Sequence, residues 1–167
     1  MQVVRRIVIA LLLLAFAPAT AAAKVPSPDA LWATINVCDS REHPDTIGIR
    51  GSMPGLGDRP SRLFMRFRVQ YLAQPDAVWQ DVLQDGDSGW IPLGRSTRRI
   101  VESGQNFQFL PPSGGGAHRL RGLVTYKWLA RRSPKVLLRG RRVTESGHRS
   151  TAGADPAGYS AAICDIA

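Results

Sequence analysis

One stretch decides the fold: Leu63-Phe64-Met65-Arg66-Phe67-Arg68-Val69-Gln70-Tyr71. Its odd-numbered positions are all apolar, and its even-numbered positions are mostly polar. Successive side chains of a β-strand point to opposite faces, so this alternation predicts a strand with one buried and one exposed face. The stretch His118–Ala130 repeats the pattern, with Leu120, Val124, Tyr126 and Trp128 on one side. Both stretches therefore predict half-buried strands of an antiparallel sheet.

Shorter stretches of strand character fill the rest of the chain, and no stretch keeps helical apolar spacing over three turns. The candidates are Trp32–Cys38, Thr46–Ser52, Val78–Leu83, Trp90–Leu93, Arg98–Glu102, Asn106–Leu110, Lys135–Val143 and Tyr159–Ile166. Turn residues at 84–89 and 131–134 predict two hairpins. The pattern predicts an all-β protein, a two-sheet antiparallel β-sandwich of eight or nine short strands. A single barrel is the alternative.

The N-terminus has the features of a cleavable export signal. Arg5 and Arg6 precede the apolar run Ile7–Phe16, and the small residues Ala21-Ala22-Ala23 follow it. The run is about 10 residues, whereas a membrane-spanning helix needs roughly 20. The sequence therefore predicts a signal peptide at 1–23, a single domain at 24–167, no transmembrane segment, and a secreted or envelope-associated protein.

The chain has two cysteines, Cys38 and Cys164, one near each end of the predicted domain. Two thiols in an exported protein more often pair than stay free. We therefore expect a disulfide between them, with their Cα atoms within about 7 Å. Two separate reactive thiols are the alternative.

The sequence shows no constellation typical of an enzyme or a metal site. His43, His118 and His148 stand alone, without a second ligand at zinc-site spacing. The loop Asp85-Gly86-Asp87-Ser88-Gly89 lacks the later oxygen ligands of a calcium-binding loop and is interpreted as a turn. No Gly-x-Ser-x-Gly elbow is present. We expect no cofactor, no metal and no enzymatic activity.

The chain is strongly basic, with 22 Lys and Arg against 13 Asp and Glu; its net charge of +9 falls to +7 without Arg5 and Arg6. If the long strands are neighbours, their solvent faces pool basic side chains and attract polyanions. The candidate residues are Arg66, Arg68, Arg119, Arg121, Lys127, Arg139 and Arg141. Only Phe64 and Leu123 are expected to interleave with them, so no specific nucleic-acid binding is predicted. The alternative is that these positions need charge only for solubility.

The two Trp-bearing strands around 84–89, the strand Gln105-Asn106-Phe107-Gln108-Phe109 and the long strands at 118–143 resemble immunoglobulin-like or fibronectin-type modules. The chain resembles small secreted proteins of G+C-rich bacteria that contain such a module and have no assigned function. It departs from immunoglobulin domains because its cysteines lie on the first and last strands, where the family pairs its second and sixth. The resemblance implies an immunoglobulin-like antiparallel β-sandwich of about eight strands and leaves function open.

Three functional hypotheses remain from the sequence. The first is a secreted, non-enzymatic binding or structural module at the cell envelope, whose basic sheet face holds an acidic polymer. The second is an extracellular hydrolase acting on envelope material. The third is a module that binds a protein partner by adding a strand to an open sheet edge.

Overall fold

The computed structural model describes residues 27–56, 61–95, 100–148 and 152–167. The predicted signal peptide, 1–23, and the predicted mature start at Lys24 lie outside these residues. A short 3-10 helix, Pro28–Ala30, precedes the first strand. The strands are β1 Trp32–Cys38, β2 Thr46–Pro54, β3 Ser61–Ala73, β4 Val78–Asp81, β5 Ile91–Arg95, β6 Ile100–Gln108, β7 His118–Ala130, β8 Val136–Val143 and β9 Cys164–Ile166.

The strands form two packed antiparallel sheets, which confirms the predicted β-sandwich. Sheet A has the order β1-β2-β6, and sheet B has the order β4-β3-β7-β8, with β5 also paired to β3 and β9 also paired to β7.

The alternation seen in the sequence places the core between the sheets. Ile35 and Ile49 of sheet A and Phe67 of sheet B are fully buried there. Two buried aromatic residues of β7 also reach across to sheet A: the Tyr126 hydroxyl donates to the carbonyl of Trp32, and Trp128 Nε1 donates to the carbonyl of Pro54 at 2.9 Å. Buried Tyr and Trp need such partners for their polar atoms. These two hydrogen bonds link the sheets at fixed points.

The predicted hairpin at 84–89 is wrong. β4 and β5 do not pair with each other; β4 pairs with the end of β3, and β5 pairs with its beginning. Between them the chain continues along the same edge of β3, where Ser88 N donates to Phe67 O at 3.0 Å and Val82 N donates to Val69 O at 2.9 Å. Because β3 is 13 residues long, its edge accommodates both short strands in succession.

Two further strand predictions need correction. The candidates 98–102 and 106–110 form one strand, β6, although the predicted start at Arg98 lies outside the described residues. A Cβ at Gly104, which lies between the two candidates, would be 2.5 Å from Arg50 Cδ and 2.9 Å from Ile49 O, so the glycine permits close approach to β2. The candidate 159–166 divides: Ala161 bridges Ile35 of sheet A, and only β9 pairs within sheet B.

The Cys38–Cys164 disulfide is present, as the sequence predicted. The two Cα atoms are 5.4 Å apart, and the bridge joins β1 of sheet A to β9 of sheet B. The described part of the chain contains no free cysteine. A disulfide indicates an oxidising, extracellular type of environment.

The sheet edges differ in how they are covered. The edge strand β1 is flanked by the C-terminal segment, because Ile35 and Ala161 exchange backbone hydrogen bonds of 2.9 and 3.0 Å and Val37 bridges Asp155. Within the described residues, β6 is the other edge strand of sheet A. In sheet B, β8 is one edge strand, and β4 and β5 lie along the opposite edge.

Among those residues there is also no helix with the length and apolar character needed to cross a membrane.

Candidate functional site

The seven basic residues predicted from the sequence lie on one face, the outer face of sheet B. β3 and β7 are neighbours, with Arg66 opposite Thr125 and Gln70 opposite Arg121. β7 and β8 are neighbours as well, with Lys127 opposite Arg139. The remaining candidates have the same parity on these strands. The strand adjacency assumed for the basic face is therefore present in the structure.

Three of the seven cations are neutralised by aspartates. Each aspartate comes from a segment that borders β3 or the beginning of β7. We call these pairs the ion-paired region: Arg66 with Asp87, Arg68 with Asp81, and Arg119 with Asp165.

Two of these pairs have the forked geometry typical of arginine and carboxylate. Arg66 Nε donates to the two oxygens of Asp87 at 2.8 and 3.0 Å, and Gly89 N donates to Asp87 Oδ1 at 2.9 Å. Arg119 donates to both oxygens of Asp165 at 2.9 Å. Hydrogen bonds from the arginines are the main reason why the pKa of Asp87 and the pKa of Asp165 lie below their usual value. These carboxylates therefore remain charged and compete with any external anion.

Arg121 is held beside the ion-paired region, and no carboxylate in the described part of the chain forms an ion pair with it. Its Nε donates to Gln70 Oε1 at 2.8 Å, and Gln70 Nε2 donates to Asp81 Oδ1 at 2.7 Å. Its guanidinium carbon lies 4.4 Å from the centre of the Trp79 ring. Burial, and secondarily the charge of Arg141, lower the pKa of Arg121. Arg121 is thus positioned by an aromatic ring and an amide.

The remaining cations face solvent on β7 and β8. Within the described residues, Lys127, Arg139 and Arg141 form no ion pair, and Arg139 and Arg141 are exposed. Lys127 Nζ lies 3.7 Å from the centre of the Trp90 ring and 5.2 Å from that of Phe64. Desolvation, followed by the charges of Arg139 and Arg66, lowers the pKa of Lys127. These positive charges repel one another, and within residues 27–56, 61–95, 100–148 and 152–167 no carboxylate pairs with them.

Sequence reasoning missed that the hairpin between β7 and β8 extends this group of charges. From residue 118 to residue 143 the chain has nine basic residues and no acidic one. The exposed hairpin contributes Arg131, Arg132 and Lys135. We call the open basic region the set Lys127, Arg131, Arg132, Lys135, Arg139 and Arg141. The acid-free run was the sequence signal that could have identified it.

The expectation that aromatic residues are scarce on this face is wrong. Trp79 of β4 and Trp90, just before β5, both contact cations of β7, in addition to Phe64. Leu123, the other residue expected there, is 4% exposed. The two tryptophans were missed because strand alternation does not predict that β4 and β5 lie along the same edge of β3.

Other clusters in the described residues give no comparable arrangement. His43 Nδ1 lies 2.9 Å from Asp155 Oδ2, and the Ser40 hydroxyl donates to the same oxygen, which ties the β1–β2 loop to the C-terminal segment. A cleft of about 370 Å³ at the disulfide end is lined by Tyr71, Val82, Phe109, Leu110, His118 and Leu120, with no carboxylate. Among the described residues, no three His, Cys, Asp or Glu side chains are grouped to hold a metal.

Comparison with family models and with curated proteins finds no match to this sequence. The candidate site is therefore interpreted from its own geometry.

Proposed function

We propose that this protein is a non-enzymatic binding module, exported to the cell envelope, that holds acidic polymers through the open basic region. The observation that supports the proposal most is the contrast within one sheet face. Arg66, Arg68 and Arg119 already have aspartate partners, whereas Lys127, Arg139 and Arg141 have none among the described residues. Cations held close together without counter-charges concentrate anions near them.

The shape of this face fits a polymer better than a small anion. The open basic region extends over exposed β8 and the exposed hairpin, and sheet B presents it as a broad face. A polymer that contacts several such cations releases the counterions condensed on its own chain, which is the main source of its binding free energy. An immunoglobulin-like sandwich is a stable support for such a surface, and the disulfide adapts it to an oxidising compartment.

The salt dependence of heparin binding tests the proposal. The logarithm of the association constant should fall linearly with the logarithm of salt concentration. Replacing two cations in the variant Arg139→Ser/Arg141→Ser should reduce the slope by roughly 2, since each polymer contact contributes about 1. The melting temperature should stay nearly unchanged because both side chains are exposed.

Two control variants locate the effect. Arg41→Ser removes an exposed cation from the β1–β2 loop, which joins two strands of sheet A, and should leave the slope unchanged. Arg66→Ser/Asp87→Ser removes one complete ion pair and keeps the net charge, so binding should also persist. If Arg41→Ser lowers affinity as much as each substitution on β8, binding follows net charge alone and the proposed site is wrong.

A further inference from the structure

We propose that the polymer is a polyuronate, an acidic polysaccharide whose carboxylates are attached directly to its sugar rings. This inference rests on the proposed function and specifies its ligand. It comes from the aromatic rings on the outer face of sheet B: the cation nearest to each tryptophan lies directly over the ring.

The geometry places a charge beside each indole: the cation covers one face of the ring, so an apolar ligand surface must pack on the opposite face or on the ring edge. Lys127 Nζ is 3.7 Å from the centre of the Trp90 ring, and the Arg121 guanidinium is 4.4 Å from that of Trp79. A matching ligand must present an anion and an apolar face within one small unit. A uronate does so, because its carboxylate is bonded to the ring whose C–H face can pack on an indole.

Other acidic polymers match this arrangement less well. Polyphosphate has charge but no flat surface, so it would use the cations alone. In a nucleic acid the sugar separates the phosphate from the base that stacks, so charge and stacking surface are further apart. The pairing of a cation with an indole at each position therefore favours a charged sugar ring.

The spacing of the two aromatic sites indicates an extended ligand. Arg121 and Lys127 are six residues apart on β7, which corresponds to about 20 Å along the strand. Thr125 lies between them and faces the same side, opposite Arg66 on β3 and Arg141 on β8. A hydroxyl at that position suits the hydroxyl groups of a sugar chain. One extended chain along β7 would contact both aromatic sites and the open basic region.

The test compares three polymers at equal concentrations of charge: polygalacturonate, polyphosphate and poly-dT. Wild-type protein should bind polygalacturonate most tightly, and galacturonate oligomers should gain affinity until they span about 20 Å. The variant Trp90→Leu, which keeps Lys127, should lose roughly ten-fold in affinity for polygalacturonate, the order of one stacking contact. Its affinity for polyphosphate should not change.

The control is Trp32→Leu, which removes a tryptophan that stacks on His148, on sheet A. It should bind polygalacturonate as the wild type does. The comparison of polymers on wild-type protein needs no variant, so it decides the question even if Trp90→Leu fails to fold.

The possible results separate the two proposals. If none of the three polymers binds, both the proposed function and this inference are wrong. If all three bind equally per charge and Trp90→Leu has no effect, the proposed function stands and the polyuronate inference is wrong. If poly-dT binds most tightly and depends on Trp90, the inference is also wrong, and the face would favour single-stranded nucleic acid.

Discussion

The two regions of the outer face of sheet B have similar basic side chains but different surroundings. In the ion-paired region, aspartates from β4, the 82–89 segment and β9 reach Arg68, Arg66 and Arg119. In the open basic region, the run 118–143 that supplies all six cations contains no acid, and none of the ion pairs among the described residues involves these cations. The number of cations on a face therefore does not by itself determine the affinity of that face for anions. The acids on adjacent strands decide how many cations remain available.

Removal of the disulfide should have the largest effect on stability and should leave this comparison intact. The Cys38→Ser/Cys164→Ser variant loses a bridge that spans 126 residues, and the chain-entropy model gives a loss of about 4–5 kcal/mol in the free energy of unfolding. Urea unfolding measures the loss. At temperatures where the variant is folded, heparin binding should equal that of the wild type, because neither region contains the cysteines. Weaker binding by the folded variant would mean that the basic face depends on the bridge.

Substitution Asp87→Asn should convert part of the ion-paired region into an open one. Asn keeps the shape of the side chain but removes the charge that holds Arg66. Heparin binding should strengthen several-fold at low salt, and the salt slope should increase by about 1. Asp45→Asn, in the loop that joins β1 and β2 of sheet A, is the matched control, because it makes the same charge change outside the ion-paired region. Equal gains in the two variants would show that net charge, not the release of Arg66, controls affinity.

The sequence predicted the fold better than it predicted the site. Alternation in β3 and β7 placed Leu63, Phe67 and Trp128 inside and the arginines outside, because strand geometry fixes which face each residue occupies. It could not predict which arginines meet an aspartate. That depends on β4 and the 82–89 segment lying along one edge of β3, and long-range strand order is not encoded in local periodicity. The position of Trp79 and Trp90 was missed for the same reason.

Acidification should have a smaller effect that acts on the ion-paired region. Hydrogen bonds from Arg66 and Arg119 lower the pKa of Asp87 and of Asp165 in the folded protein. A carboxyl group with a lowered pKa stabilises the folded protein at pH values above its usual pKa. This stabilisation is lost as the pH falls through the lowered pKa of the folded state. The melting temperature should thus not depend on the titration of Asp87 and Asp165 near neutral pH, and it should decline below about pH 4. Asp87→Asn should reduce this decline in melting temperature. If the melting temperature of the variant falls with pH as that of the wild type does, Asp87 is not a source of the decline.

An NMR titration of the folded protein with a heparin oligosaccharide would show which of the two regions binds the polymer. Backbone amide shifts should concentrate at Lys127, on the 131–135 hairpin, and at Arg139 and Arg141. Only small shifts are expected at Asp87 and Asp165, whose arginines are already paired. Shifts centred on the ion-paired region, or spread evenly over both sheets, would contradict the claim that the open basic region is the binding site.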